Sequence, residues 1–528
     1  MKNKKFIWAG FIMLLFSPLF APAQNMNDVY EYNRTELLGT ARYMSTAGTM
    51  SNVGADLSAI GDNPAGAAYF LTNRISFTPD FFNIQNTTDY NGKKTLGNDR
   101  GIFHGLFYTN QLGVVLPFIS ETNKWNKISI GFNYNKTKNY FNNVETEGQA
   151  SGMQSMQDYF LAHADGVPTS DLDLYNNETI EDVYDWLGEN YGSYAQHAFL
   201  AYQSFMIDPL TTDPSNNQYV GNGTYSAPLY HRVKWKTEGK KFNSDVFIAG
   251  EYNNKIAAGF TLSMHGMERK ERRNIIESGY DAGSKLQAAE YTTTLKTDAS
   301  GFGIKMGLIY KVNKQVKLSF AFHSPVWWEI NESTTESIQT EILDVDDLDG
   351  DGNTTEILSF AVEPNVVNTY EPYKFVTPSK IIVGFSAIMG KSGFISADYS
   401  YSDWSQIHFT DMSESGSAQD YFDYLNKQVQ DTYTAVHRIR VGGEFKVEDW
   451  FLRAGYLMQT SPYKNLKDNV TDALSFGLGY DFGKFEVDFA LVNSNEKYNR
   501  QLFPVGLTET YQINQRTNHY ALTLRMNF

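Results

Sequence analysis

The sequence predicts an all-β fold, a transmembrane antiparallel β-barrel of about fourteen strands with an N-terminal lumenal plug and long, partly helical exterior loops. Three observations predict it. An export signal opens the chain. Aromatic residues make up 15% and glycine 41 positions, while mean hydropathy is only −0.41. Runs of alternating apolar and polar residues recur as far as Phe528, so that one face can meet lipid and the other a wet lumen.

Lys2, Lys4 and Lys5 precede an apolar run from Phe6 to Phe20 and the small-x-small triplet Ala21-Pro22-Ala23, the form of a secretory signal with its peptidase site. The run is shorter than the ~20 residues a membrane-spanning helix needs. Residues 1–23 are therefore expected to be cleaved, leaving Gln24 first. Their loss takes three lysines and no acid, moving the net charge from −16 to −19. Such acidity disfavours nucleic acid as a partner. The absence of cysteine excludes disulfides, thiolate metal sites and cysteine nucleophiles.

The closing run places Tyr520, Leu522, Leu524, Met526 and Phe528 on one face and Ala521, Thr523, Arg525 and Asn527 on the other. Upstream, Leu474, Phe476, Leu478, Tyr480 and Phe482 form one such face and Phe485, Val487, Phe489 and Leu491 the next. Only Gly483-Lys484 separates them, a tight hairpin. The run Phe302–Tyr310 turns through Asn313-Lys314-Gln315 into Val316–Phe322 in the same way. Strands are expected to begin near Arg74, Leu106, Lys127, Lys241, Lys255, Gly301, Val316, Ser379, Gly393, Val436, Trp450, Ala473, Phe485 and Thr517. Short turns near Glu121, Asn253, Asn313, Gly390, Glu448 and Gly483 alternate with long connections, which puts the short turns in the periplasm and the long loops outside the cell. The last strand is expected to close against the first, near Arg74 to Phe82.

Before the first strand lies a small, polar, Gly/Ala-rich stretch, Gly39 to Gly48 and Asp56 to Gly66, containing Asn63-Pro64-Ala65. Here, and through Gly301-Phe302-Gly303, Gly307, Ser324-Pro325, Arg453-Ala454-Gly455-Tyr456, Ser461-Pro462 and Ser475-Phe476-Gly477-Leu478-Gly479-Tyr480, the chain resembles the FadL family of outer-membrane transporters for long-chain fatty acids and other hydrophobic compounds. The resemblance implies a fourteen-stranded barrel, a hatch over residues 24–73 with Asn63, Pro64 and Ala65 as its motif, and a barrel over 74–528. It implies passive uptake in which an exterior apolar groove captures ligand, the hatch rearranges, and the ligand leaves sideways through the wall. It also implies a Gram-negative outer-membrane location, lipid and lipopolysaccharide as surroundings, insertion by the barrel-assembly machinery, and a monomer. In that family the third strand kinks at the side exit; the corresponding segment here, Gly131 to Tyr140, carries no decisive match and leaves the exit unassigned.

The connection from about residue 145 to 240 is too long for a plain loop. Thr179-Ile180-Glu181-Asp182 reads as a capping box, with Ile180, Val183, Tyr184 and Leu187 on one helical face. Tyr194, Ala198, Ala201, Tyr202 and Phe205 share another, and Met153, Met156, Tyr159 and Phe160 form a third apolar cluster. Because the family's exterior loops hold the first ligand groove, Met153, Met156, Tyr159, Phe160, Trp186, Leu187, Phe199, Tyr202 and Phe205 are the expected ligand-binding residues. The alternative is that the helices pack on one another and cap the barrel.

Asp347, Asp349, Asp351 and Asn353, within a loop over 344–358, have the D-x-D-x-D-G spacing that wraps oxygen atoms around Ca²⁺. The twelfth position is Leu358, with Glu356 two residues earlier. No other cofactor is expected. Arg438, Arg440, Glu444, Arg453, Glu486 and Asp488 alternate with apolar residues and should face the lumen, as a salt-bridge network holding the hatch. A sharper alternative has Arg438, Arg440 or Arg453 meeting a ligand carboxylate through its planar donor fork.

An enzyme is not expected: no G-x-S-x-G elbow is present and the nine histidines show no metal-ligand spacing. A second role within the resemblance is a barrel belonging to a protein-secretion system. A TonB-dependent receptor would need a larger plug than the residues before Arg74 provide.

Overall fold

The computed structural model describes residues 26–99, 109–120, 122–175, 177–413 and 419–528. The expected signal peptide and cleavage site, and the strand start expected at Leu106, lie outside these residues.

Fourteen strands close into an antiparallel barrel: β1 (Arg74–Tyr90), β2 (Thr109–Ile119), β3 (Trp125–Asn139), β4 (Tyr230–Tyr252), β5 (Ile256–Ser278), β6 (Leu286–Lys311), β7 (Val316–His323), β8 (Lys380–Ile388), β9 (Gly393–Asp403), β10 (Ala435–Val447), β11 (Trp450–Gln459), β12 (Thr471–Asp481), β13 (Phe485–Gln501) and β14 (Thr510–Asn527). Each pairs with the next, and β1 pairs with β14 from Arg74↔Asn527 to Asp89↔Gln512, which removes both sheet edges. The turns are short at one end. Asn253 and Asn254 both take positive φ, as a type I′ turn requires, to join β4 to β5.

The outer surface carries the lipid-facing band. Val246 and Ile248 of β4, Phe260, Leu262 and Met264 of β5, Val383 and Phe385 of β8, Leu474, Phe476 and Leu478 of β12, and Leu522 and Leu524 of β14 are all exposed. An apolar belt around a whole barrel far exceeds the patches soluble proteins tolerate. At the short-turn end, Trp125 stacks edge-on with Tyr252 at 5.4 Å and Trp450 with Tyr480 at 4.9 Å, part of an interfacial aromatic girdle.

Several strands start earlier than expected from sequence: β4 at Tyr230 instead of Lys241, β6 at Leu286 instead of Gly301, and β14 at Thr510 instead of Thr517. The reason is a reversal of polarity along each strand. In β4 the outward residues Val246 and Ile248 give way to Lys240, Lys236, Lys234 and Arg232, while the inward face changes from Asp245 and Asn243 to Trp235 and Val233. The change falls at one level across neighbours, where Lys240 pairs with Glu268 and Glu268 with Asp298. Below that level lipid lies outside and a polar lumen inside. Above it water lies outside and an apolar interior within. The stretch read as a loop over 145–240 is correspondingly shortened, because Asn142–Gln149 pairs with the upper half of β4.

Three adjacent strands break at a common level. The wall of β7 resumes after Ser324-Pro325-Val326 as Trp327–Leu343, β8 is preceded across Thr377-Pro378-Ser379 by Tyr373–Val376, and β9 is followed across Trp404–Ile407 by His408–Asp411. The prolines supply no ladder donors. Side chains substitute: Thr377 Oγ1 accepts from Val326 N at 2.9 Å, and Ser324 Oγ accepts from Ile304 N at 3.0 Å.

Helices α1 (Met26–Asn33) and α2 (Ala41–Ser45) and the turns after them fill the lumen. Helices α3 (Met156–Ala164), α4 (Thr169–Leu172), α5 (Ile180–Asn190) and α6 (Ser193–Gln203), with α7 (Gln419–Thr432), roof its outer end. The expected capping box at α5 forms, with Thr179 Oγ1 accepting from Asp182 N and the Asp182 carboxylate from Thr179 N.

Candidate functional site: the plugged lumen and its cap

The hatch is seated on glycines. Gly259 and Gly307 are partners across the β5–β6 pair, and a β-carbon on either would overlap Ala65 N or Asn63 Oδ1. Asn63 Oδ1 caps its own turn by accepting from Ala65 N at 3.0 Å, and Asn63 Nδ2 donates to Leu308 O at 3.3 Å. On the opposite wall Gly442 and Gly455, likewise paired, leave room for Thr46 and Ala47. The wall thus alternates aromatic or aliphatic bulk outward with bare backbone inward, and the plug fills the inward recesses.

Ion pairs then fix it. Arg42 binds Glu444 bidentately at 2.8 and 2.9 Å, and Glu444 also accepts from Arg453 at 2.6 Å. Arg453 reaches Asp488 at 2.6 Å, and Glu486 holds Arg74 and Arg525, each at 2.8 Å. Arg440 donates to Asp62 at 2.7 Å and lies 3.3 Å from Asp398, while Tyr43 OH donates to Asp62 at 2.7 Å. Of the six charges singled out from sequence, Arg440, Glu444, Arg453, Glu486 and Asp488 face inward in these pairs, and Arg438 lines the cavity described next. A second group went unread. Glu31 and Arg34, at the end of α1, join Arg500 at 3.3 Å and Glu496 at 2.8 Å, and Arg500 meets Glu271 at 3.2 Å. Charges near Arg34 and above Phe242 have no local motif; only closure of the barrel brings them together.

Between hatch and wall lies a cavity of about 240 Å³. Apolar Val326, Trp328, Trp404 and Val436 and basic Lys305, His323, Lys380 and Arg438 line it together, next to the three strand breaks. Lys305 is held by Asp245 at 2.9 Å and Lys380 lies 3.7 Å from Asp62. Arg438 differs from Arg440 and Arg453. Among the described residues its guanidinium contacts no carboxylate, donating instead to Gln459 Oε1 at 2.8 Å and, at 3.4 Å, to Thr35 Oγ1.

The cap places the expected groove residues differently. Met156, Tyr159, Phe160, Leu187 and Phe199 are buried in one apolar cluster, Tyr202 and Phe205 pack against it, and Met153 and Trp186 stay exposed outside it. Tyr159 packs at a tilt on Phe503, ring centroids 4.5 Å apart, and Phe160 meets Tyr291 edge-on at 5.2 Å. They form the interior of the cap, not an open groove, because the helical stripes turn toward each other and toward the apolar upper strand faces. Inside this cluster His163 Nδ1 donates to Tyr159 O at 2.7 Å and its ring lies 4.9 Å from that of His197, which contacts Glu336 at 3.0 Å.

Of the expected calcium ligands, Asp347 and Asp349 cluster with Asp344, and Asp349 and Asp351 with Glu356. Asn353 Oδ1 accepts from Thr355 Oγ1 at 2.9 Å.

A closed barrel with an apolar exterior, a polar lumen and an N-terminal plug defines an outer-membrane channel protein. The family described as "Outer membrane protein transport protein (OMPP1/FadL/TodX)" matches residues 236–528, more than half the chain, and the chain belongs to it. A comparison with curated protein sequences finds no match. Among solved structures, a Pseudomonas aeruginosa FadL homologue is similar over 94% of this chain and 100% of its own, with 11% identity and a TM-score of 0.51. The Pseudomonas putida toluene transporter TodX matches over 93% and 99%, with 13% identity and a TM-score of 0.49. At such identities the likeness speaks to fold alone.

Proposed function

We propose that this chain is a passive channel for amphipathic hydrophobic molecules, long-chain fatty acids foremost. Arg438 carries the proposal: a lumenal guanidinium lining a cavity and engaged, among the described residues, only by neutral partners has donors to offer an anionic head group. Apolar and basic side chains line the same cavity, so a ligand held there would set its head on Arg438 and its tail against Trp328 and Trp404. Each Å² of tail surface removed from water contributes about 25 cal/mol.

Inward passage requires the hatch to leave its glycine seats. The side exit in this proposal is the band of breaks at 324–326, 377–379 and 404–407, where hydroxyls replace part of the backbone ladder beside the cavity.

Competition binding of oleate and oleyl alcohol to detergent-purified protein tests the head-group assignment. The wild type should prefer the carboxylate about tenfold or more, the scale of a charge-assisted hydrogen bond, and Arg438→Gln should abolish the preference. An unchanged preference in the variant would remove Arg438 from the role.

A further inference from the structure

The exterior loop over residues 344–356, between Trp327–Leu343 and Ile357–Val362, contributes no residue to the cavity described above. Its stem is closed by the Leu343↔Ile357 pair and by Asp344 N donating to Glu356 O at 2.9 Å. Between these points the chain carries Asp344, Asp346, Asp347, Asp349, Asp351 and Glu356 and no basic residue. Lys285 accounts for Asp346, at 2.9 Å. The other five converge. Carboxylate oxygens of Asp344, Asp347 and Asp349 lie within 4.8 Å of one another, as do those of Asp349, Asp351 and Glu356, so Asp349 belongs to both groups.

Asp349 and Asp351 are exposed and Asp347 and Glu356 half-buried, but a purely solvated acidic turn would not bury the first carboxylate of the group. Asp344 has no solvent exposure; Oδ1 accepts from Leu348 N at 2.7 Å, while the buried Oδ2 has no hydrogen-bond partner. Glu356 Oε1 is also buried and unpartnered. Burying a carboxylate oxygen with no donor, beside further carboxylates, is unfavourable unless a cation completes it. The loop can wrap such a cation because Gly350 and Gly352 take positive φ, at +75° and +83°.

We propose that this hairpin binds Ca²⁺ through Asp344, Asp347, Asp349, Asp351 and Glu356. Glu356 replaces the carboxylate missing at the twelfth position of the motif, and Asp344 is contributed from the strand before it. An all-oxygen set rich in carboxylates on a pliable loop suits Ca²⁺ over the smaller, strictly octahedral Mg²⁺, and it offers zinc no nitrogen or sulfur ligand. Leu348, inside the loop, packs against the apolar cluster of the cap, so occupancy of the loop bears directly on cap order.

Isothermal titration of chelator-treated, full-length protein in detergent with CaCl₂ tests this, beside Asp344→Asn and Asp349→Asn. The loop lies outside the barrel, and heat-modifiable migration on gels checks that each variant is folded. The wild type should bind one Ca²⁺ per chain with a Kd on the order of 10⁻⁵ to 10⁻³ M, undisturbed by equimolar Mg²⁺. Asp349→Asn, which weakens both groups, should lose about thirtyfold or more in affinity and Asp344→Asn about tenfold. Absence of binding at 10 mM Ca²⁺, on the order of ten times the weakest expected Kd, would overturn the proposal. So would identical isotherms for wild type and both variants, which would assign the ion to carried-over lipopolysaccharide, or equal affinity for Mg²⁺.

Discussion

Gly307 lies directly across the β5–β6 pair from Gly259, and the Asn63-Pro64-Ala65 turn rests on the bare backbone the two expose. The hatch motif is thus half of a joint whose other half lies far along the chain, in β5 and β6.

Gly307→Val should unseat the hatch without harming the barrel, since the new side chain points into the lumen and overlaps Asn63. Permeability of cells to a small hydrophilic dye should rise several-fold, on the order of the loss of one well-packed contact. Leu308→Val, on the exposed lipid face next door, should leave permeability unchanged.

Asp62→Asn removes the main charge partner of Arg440, leaving Asp398 at 3.3 Å. Breaking a buried ion pair costs about 3–5 kcal/mol, so local opening of the hatch should become on the order of a hundred- to a thousandfold more frequent. Faster amide exchange across residues 40–66, with wall strands unaffected, is the expected readout.

The interior of the cap should be acid-sensitive. Burial, and then repulsion from His197, lower the His163 pKa from 6.5 to about 4, with Tyr159 O and Glu336 acting in the opposite direction. The folded cap therefore disfavours the proton. Its full stability is present above pH 6.5 and is lost progressively as pH falls from 6.5 toward 4, by up to about 3 kcal/mol. Cap unfolding followed by tryptophan fluorescence should show this slope, and His163→Gln should flatten it.

Cysteines placed at Trp327 and Val376, which pair in register beside the strand breaks, can lock the wall because the chain has no other thiol. Uptake should stop on oxidation and return on reduction. Continued uptake in the oxidised form would put the exit elsewhere.

How much of this was legible in the sequence depends on what lies outside each strand. The alternation of Tyr520 to Phe528 and the Gly483-Lys484 hairpin could be read because lipid and lumen impose opposite polarities on adjacent residues. The stretch from Arg232 to Lys240 alternates as regularly, but with polar residues outward, and so passed for loop. The inward orientation of Arg440, Glu444, Arg453 and Asp488 follows from parity alone; their partners Asp62 and Arg42 do not. The helical stripes of the cap signalled burial without saying whether helix or ligand would cover them, and Phe160 is covered by Tyr291. Asp344 was missed because it precedes the motif and is distinguished only by its burial.

The most direct test is the initial rate of radiolabelled oleate uptake by Gram-negative cells that lack their own outer-membrane route and carry this chain, with energy metabolism blocked. A saturable rate several-fold above that of cells with empty vector, reduced by Arg438→Gln, is the expected result, the variant losing roughly one charge-assisted hydrogen bond of ligand affinity. A rate equal to the empty-vector control, with the folded barrel present in the outer membrane, would contradict the account.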